Sequence, residues 1–185
     1  MKQYILLLRG INVGGKNKLP MAELKRFLER QGCSNVTTYI QSGNVILESA
    51  LDKQTLKQQV EKALPKSLKL DSSIIRILIL TFDQLQSIIN NKPRSFGEQP
   101  EKYHSDVIFL IDVSVGEAIK VFSPKEGVDT VWQGDGVIYS QRLSTMRTKS
   151  RLNKIVGTIP YQSMTIRNWN TVTKLLELSG NYPYK

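Results

Sequence analysis

The sequence is poor in the residues that build disulfides and metal centres. It has one cysteine, Cys33, and one histidine, His104, among 185 residues. A single cysteine forms no internal disulfide, which fits a reducing compartment, so we expect a cytoplasmic location. A single histidine excludes H-E-x-x-H zinc sites and schemes that need two histidines. The acidic residues are scattered as well, so the sequence predicts no metal site and no cofactor.

Long apolar runs and the usual catalytic motifs are also missing. The first apolar run covers only residues 4–8 before Arg9 ends it. A secretory signal needs about 7–15 apolar residues and a membrane span about 18 or more, so we expect no membrane partner. There is no G-x-S-x-G elbow and no RNP1 pattern with stacking aromatics. No catalytic residues are recognisable, and the sequence leaves open whether the protein is an enzyme.

What the sequence has is ordinary globular composition with an excess of positive charge. Hydrophobic residues make up 40% and charged residues 23%, and the formal net charge is +10. This composition argues against disorder. A basic balance favours a polyanion partner such as nucleic acid, although a basic protein can also lack such a partner.

The pattern along the chain reads as two halves with the same order of elements, β-α-β-β-α-β-α. Capping signals mark three helix starts, at Asp52, at Thr81 with Gln84, and at Ser114 with Glu117. A further helix carrying Leu152, Ile155 and Val156 is predicted to end at Gly157. The fold class predicted is α+β, a tandem duplication of two ferredoxin-like subdomains with antiparallel sheets. The predicted boundaries are 1–91 and 105–185, joined by a connector over 92–104 that is rich in proline and glycine.

Two pairs of segments support the duplication. Residues 40–47 align with residues 132–139, and residues 81–89 align with residues 168–176, with apolar positions coinciding in both pairs. In the usual antiparallel sheet of this motif, loops 10–18 and 41–44 share an edge. By the same reasoning we expect residues 147–151 to lie near residues 167–170.

The first candidate site is the loop 10–18, which leads from a strand into a helix. Glycines let backbone N–H groups approach an anion, and lysines supply charge. The spacing is not that of a Walker A loop, and a tight crossing that needs glycine backbone geometry is the alternative. The predicted anion- or ligand-binding residues are Arg9, Asn12, Gly14, Gly15, Lys16, Ser42 and Asn44.

The second candidate site lies in the stretch 136–176, which contains seven cations and no acidic residue. Hydroxyl side chains lie between the cations, as is common where proteins contact phosphates. The alternative is a solvated basic face. Trp169 and Asn168 are expected to serve packing and capping. The predicted polyanion-binding residues are Arg147, Lys149, Arg151, Arg167 and Asn170.

Several segments together resemble a known family. They are LLRGINVGGKNK at residues 7–18, MAEL at 21–24, YIQSGNVI at 39–46, SRLN at 150–153 and TIRNWNTVTKL at 165–175. In these segments the chain resembles the bacterial family of unknown function DUF1697. The resemblance implies two ferredoxin-like subdomains and no activity. It also implies that the signature residues serve a shared site or a shared fold geometry; they include Arg9, Asn12, Gly14, Gly15, Ser42, Gly43, Asn44, Arg167, Asn168 and Asn170.

Three hypotheses follow. The first is a binding protein for a polyanion such as nucleic acid. The second is an enzyme or sensor for a small phosphorylated or anionic ligand held by loop 10–18 and turn 42–44. The third is a protein-interaction module. The sequence leaves the oligomeric state open.

Overall fold

The fold is α+β, with two four-stranded antiparallel sheets, as seen in a computed structural model that describes residues 1–71 and 73–180. The chain forms two compact units. Of the described residues, the first comprises Met1–Leu85 together with residues 175–180, and the second comprises Gln86–Lys174. The predicted α+β class with antiparallel sheets is confirmed.

The first unit builds its sheet in the order β2-β3-β1-β4. Its elements are β1 (Lys2–Arg9), α1 (Met21–Arg30), β2 (Ser34–Tyr39), β3 (Asn44–Ser49), α2 (Lys53–Leu68), β4 (Arg76–Leu80) and the start of α3 (Phe82–Asn90). The apolar run of β1 lies between β3 and β4, and its residues 4–8 are all buried. A strand covered on both faces reads as an unbroken apolar run, which is why β1 does not alternate.

Local capping chemistry sets the helix starts as predicted. Asp52 accepts hydrogen bonds from the N–H groups of Gln54 and Thr55 at the start of α2. Thr81 and Gln84 exchange the two bonds of a capping box before α3. Pro65 lies inside α2 but does not end it. The proline removes only its own N–H bond, and α2 continues to Leu68.

The second unit has the same spatial order of strands, β6-β7-β5-β8. Its elements are β5 (Tyr103–Leu110), α4 (Val115–Ala118), β6 (Asp129–Gln133), β7 (Val137–Leu143), β8 (Met164–Asn168) and the first part of α5 (Trp169–Gly180). The predicted capping box of Ser114 and Glu117 is present at α4. Between β7 and β8 the chain forms three short 3₁₀ turns, Ser144–Lys149, Leu152–Ile155 and Pro160–Ser163.

The helix predicted to end at Gly157 is therefore wrong. Only Leu152 and Ile155 of its predicted face are buried, and Val156 is 61% exposed. The Arg151 N–H, which would start such a helix, is bonded to a side chain of β6 (Asp129, 2.8 Å). A partner from another strand thus holds the chain in separate turns.

The predicted connector 92–104 is only partly a connector. Its last two residues, Tyr103 and His104, already belong to β5. Phe96 within it is fully buried and lies at the centre of an aromatic cluster, with ring centroids at 6.0 Å from Trp132, 5.1 Å from Tyr139 and 5.2 Å from Trp169. Prolines and a glycine suggested a turn-rich link, but one aromatic side chain ties it to the core of the second unit.

The compact units also differ from the predicted boundaries at the end of the chain. Helix α5 was expected to close the second half, yet its residues 175–180 group with the first unit. Within that unit, Gln3 donates a side-chain hydrogen bond to the carbonyl of Ser179 in α5 (3.2 Å). In the described part of the chain, no helix has both the length and the apolar character to cross a membrane.

Candidate functional site

The loop 10–18 folds into a small two-stranded finger rather than an open cradle. Val13 pairs with Lys16, and the Asn12 N–H reaches the carbonyl of Asn17 (3.0 Å). Gly14 and Gly15 form the tip with φ values of +58° and +75°. Positive φ at both central residues is the requirement of the tight hairpin turn that glycine pairs favour. The tip is exposed, as is the side chain of Lys16.

Two asparagines fasten the base of this finger to the rest of the first unit. The Asn12 carboxamide donates to the carbonyls of Leu19 and Gln41 and accepts from the Leu19 N–H. The Asn17 carboxamide bonds both the carbonyl and the N–H of Asp71. Asn12 was predicted to bind a ligand, but its carboxamide forms three hydrogen bonds that hold the loop in place.

The turn before β3 packs next to the finger, as the topology predicted. The bond from the Asn12 carboxamide to the carbonyl of Gln41 (2.8 Å) joins the two loops directly. Asn44 is fully buried and donates to the carbonyl of Tyr39 and to the hydroxyl of Ser42. These polar groups hold the turn in place, and their predicted role in binding stays a prediction.

Arg9 lies half-buried at the end of β1 and donates to the carbonyl of Ile74 (3.2 Å). Of the seven residues predicted to bind an anion, Gly14, Gly15 and Lys16 are the exposed ones. An anion at the first site would therefore contact the fingertip and not the side-chain amide groups of Asn12 and Asn44 behind it.

The second candidate site is an exposed run of residues 144–154, which we name the basic segment. Its four cations, Arg147, Lys149, Arg151 and Lys154, are all exposed. Across the described residues, none of the four forms an ion pair. Leu152 within the segment is buried, and so is Ile155 just after the segment. These two side chains anchor the backbone from which the cations project.

Asp129 fixes the basic segment to the sheet. Its carboxylate is 7% exposed and accepts hydrogen bonds from the N–H groups of Arg151 (2.8 Å) and Lys125 (3.0 Å). Burial raises the pKa of this carboxyl group, but the hydrogen bonds from Arg151 and Lys125, the Ser150 side chain and the nearby Arg142 charge outweigh it, so the pKa lies below its usual value. Both hydrogen bonds reach Oδ2, whereas Oδ1 is buried without a hydrogen-bond partner within residues 1–71 and 73–180.

We expect Asp129→Asn to cost about 1–3 kcal/mol, because charge-assisted hydrogen bonds to two N–H groups are weakened in a buried position. The native pKa lies below the unfolded value of about 3.9. The carboxylate therefore stabilises the protein above that pH, and this contribution is lost as the pH falls through the native pKa. Denaturant unfolding of both proteins from about pH 7 to pH 3 should show the difference shrinking with acid. A constant difference would contradict this role.

Arg167 does not belong to the exposed site. It lies on β8, is 6% exposed, and donates to the hydroxyl of Thr165 (2.9 Å) and to the carbonyl of Ile166 (2.9 Å). Burial lowers the pKa of its guanidinium group to about 10. The expectation that this side chain is available to a polyanion is wrong. Asn170 is exposed, and the predicted nearness of residues 147–151 to residues 167–170 stays a prediction.

Asn168 and Trp169 have the structural roles that the sequence indicated. The Asn168 carboxamide accepts the Asn170 N–H (3.1 Å) and so caps α5. Trp169 is 9% exposed and packs against Phe96. Cys33 is buried, and burial raises the pKa of its thiol.

Tyr103 and His104 are not among the residues that the sequence predicted to bind a ligand. Both line a small cavity at the start of β5, beside Asn168 and Asn170. The signal that could have found them is the alternation of Tyr103, Ser105 and Val107 leading into the apolar run of β5, which extends the strand backwards. Among residues 1–71 and 73–180, no three His, Cys, Asp or Glu side chains lie close enough to hold a metal ion.

The comparisons with known proteins agree with this architecture. A family model described as a protein of unknown function (DUF1697) matches residues 1–139. The solved structure of the conserved bacterial protein SP0830 from Streptococcus pneumoniae is similar, with 28% sequence identity and a TM-score of 0.73. The match covers 95% of this chain and 97% of that one. No curated protein sequence matches the chain significantly.

Proposed function

Because the chain belongs to the DUF1697 family, whose function is unknown, membership brings no activity with it, and we propose that the protein binds nucleic acid through the basic segment. The observation that carries the proposal is the exposure of four cations on an anchored backbone within a stretch of 41 residues, 136–176, that contains no acid. Phosphate oxygens are the usual partners of such cations.

Hydroxyl groups and the order of the backbone support the same interpretation. On the basic segment, Ser144 and Thr145 are exposed before its first cation, and Thr148 is exposed between Arg147 and Lys149. Hydroxyl groups donate to phosphate oxygens in many nucleic-acid complexes. The hydrogen bond from the Arg151 N–H to Asp129 and the burial of Leu152 hold the segment in place before a ligand arrives. The segment therefore loses less conformational freedom when it binds.

The small-ligand hypothesis receives less support from the geometry. Asn12 and Asn44 are engaged in hydrogen bonds within the first unit, so the site keeps mainly the fingertip and Lys16. The protein-interaction hypothesis has exposed apolar residues in its favour, among them Val13 at 65% and Ile159 at 83%. Both stay second to nucleic-acid binding.

The test is the triple substitution of Arg147, Lys149 and Arg151 by alanine. Each phosphate neutralised contributes about −0.9 to the log–log salt slope on duplex DNA and about −0.7 on single strands. We therefore expect weaker binding to all sequences and a slope flatter by about 2 units. Fluorescence anisotropy with labelled DNA and RNA across a salt series measures both quantities.

A matched control removes three exposed cations elsewhere, with Arg26, Lys62 and Lys66 of α1 and α2 changed to alanine. Both variants lose the same net charge, so only a local interface distinguishes them. Exposed substitutions usually change stability by no more than about 0.5 kcal/mol each. If the wild-type protein binds neither DNA nor RNA at about 50 mM salt, the proposed function is wrong.

We further infer that the two units are repeats of one ferredoxin-like motif. Their identical strand order and the coinciding apolar positions of the paired segments 40–47 and 132–139 support this. The connection before the last strand differs, because α2 has 16 residues where the second unit has 3₁₀ turns. Superposition of the two sheets tests the inference, since crossovers of opposite hand would contradict it.

A cytoplasmic location is likewise a proposal, which cell fractionation tests.

A further inference from the structure

We propose that the nucleic acid is bound as a single strand, and that one unpaired base enters the cavity formed by Tyr103, His104 and Asn170 in the second unit. This inference rests on the proposed function and names its substrate class. We call this cavity the base pocket.

The size of the base pocket fits one flat ring. Its volume is about 120 Å³. Ligand pockets for larger molecules usually reach about 300 Å³ or more, so a whole nucleotide does not fit. The lining of the base pocket includes two aromatic residues, Tyr103 and the largely buried Trp169, but its wall is mainly polar, with His104, Asn168 and Asn170 among the lining residues.

Asn170 supplies the group that would recognise the edge of a base. Its side chain is exposed, and its carboxamide has no hydrogen-bond partner within residues 1–71 and 73–180. Its backbone is fixed, because the Asn170 N–H is bonded to the Asn168 carboxamide. A carboxamide presents a donor and an acceptor side by side, which is the arrangement that pairs with base edges.

Tyr103 and His104 form the neighbouring wall. The Lys102 ammonium group lies 5.1 Å from the centroid of the Tyr103 ring. Because this cation lies over one face of the ring, a base in the pocket would stack on the other face. The His104 Nε2 atom lies 3.1 Å from the carboxylate of Asp106, which orients the imidazole.

The base pocket adjoins the start of the basic segment. Tyr103 of β5 is the strand partner of Leu143 at the end of β7, and the Ser144 N–H bonds the carbonyl of Lys102 (3.0 Å). In this proposal, a strand whose phosphates contact the start of the basic segment passes the mouth of the base pocket. Only an unpaired base can turn into it, since bases in a duplex are stacked and paired.

The experiment compares Asn170→Ala and Tyr103→Leu with the wild-type protein. The ligands are labelled 12-nucleotide single strands of dT, dC or dA, a strand of equal length without bases, and a duplex. Stacking on an aromatic side chain contributes about 1–3 kcal/mol per base, so we expect about tenfold weaker binding of at least one base-bearing strand. Affinity for the base-free strand and the salt slope should not change.

The matched control is Asn153→Ala, which makes the same change at an exposed asparagine of the basic segment outside the base pocket. It should leave the preference for base-bearing strands intact. Asn170→Ala alters an exposed side chain, so its result stands even if Tyr103→Leu lowers stability.

The outcomes separate this inference from the proposed function. If both pocket variants bind base-bearing strands like the wild type while the triple alanine variant of the basic segment loses affinity, the base pocket is wrong and nucleic-acid binding stands. If the pocket variants lose the base-free strand equally, the cavity holds a phosphate and the inference is wrong. If the wild-type protein binds no strand, the proposed function and the inference both fail.

Discussion

Phe96→Ala is expected to lower the free energy of unfolding by about 3–5 kcal/mol, the usual cost of deleting a large buried aromatic side chain. Phe96 is fully buried, and the rings of Trp132, Tyr139 and Trp169 meet it edge-on at 5.1–6.0 Å between centroids. Removing the ring leaves a cavity bounded by three other aromatic side chains. Such edge-on pairs also contribute beyond the area they bury.

Urea unfolding followed by tryptophan fluorescence measures the effect, because both tryptophans of the chain contact Phe96. The control is Phe122→Ala, the same change at a half-buried phenylalanine of the second unit. It should cost less than half as much. A loss below about 1 kcal/mol for Phe96→Ala would instead show that residues 92–104 act as a plain linker.

The elements that could be predicted from the sequence are those whose causes are local. The capping boxes at Thr81 and Ser114 are confirmed because both partners lie three residues apart in the chain. The apolar run of β1 likewise predicts a strand from consecutive residues alone. Local rules and the final structure agree at these positions.

The elements that could not be predicted depend on partners far along the chain. The 3₁₀ turns of residues 144–155 replace a predicted helix because Asp129 takes the Arg151 N–H, 22 residues away. The anchoring of Phe96 likewise depends on aromatic rings from β6, β7 and α5. No spacing rule in the sequence connects these groups.

Charge and glycine patterns in the sequence indicate candidate binding residues, but only some of these residues have an exposed side chain or an exposed backbone in the structure. Arg147 and Lys149 are exposed as a solvated or binding face requires. Arg167 looked equivalent because it lies in the same acid-free stretch, but strand alternation puts it with Thr165 on a buried face of β8. Asn12 looked like a ligand residue in a glycine loop, and its role depends on the carbonyl of Gln41, 29 residues away.

The family signature can now be divided by role. Asn12 and Asn44 form bonds that hold the finger and its neighbouring turn, so their presence in the signature is explained by fold geometry. Asn168 caps a helix for the same kind of reason. Asn170 is different, because its side chain is exposed and lines a cavity. Within the signature it is therefore a better candidate for direct ligand contact than those three asparagines.

Gly10→Ala is expected to destabilise the protein by about 3 kcal/mol or more, through two separate effects. Gly10 has a φ of +84°, where a residue with a Cβ atom is strained by about 1–2 kcal/mol. An added Cβ atom would also lie 2.2 Å from the carbonyl oxygen of Ile74, which is backbone and cannot rotate away. The strand end and the segment before β4 would have to separate, and costs of this size arise from such strain at special backbone positions.

Gly14→Ala is the matched control, because Gly14 also has a positive φ of +58° but, apart from its chain neighbours, no described residue has an atom within 4 Å of its added Cβ. It should cost only the backbone strain of about 1–2 kcal/mol. Urea unfolding of the two variants and the wild type measures the difference between steric and conformational effects. Equal losses for the two variants would show that the chain near Ile74 yields easily, so that Gly10 is required only for its backbone angle and the loop 10–18 is more adaptable than its hydrogen bonds indicate.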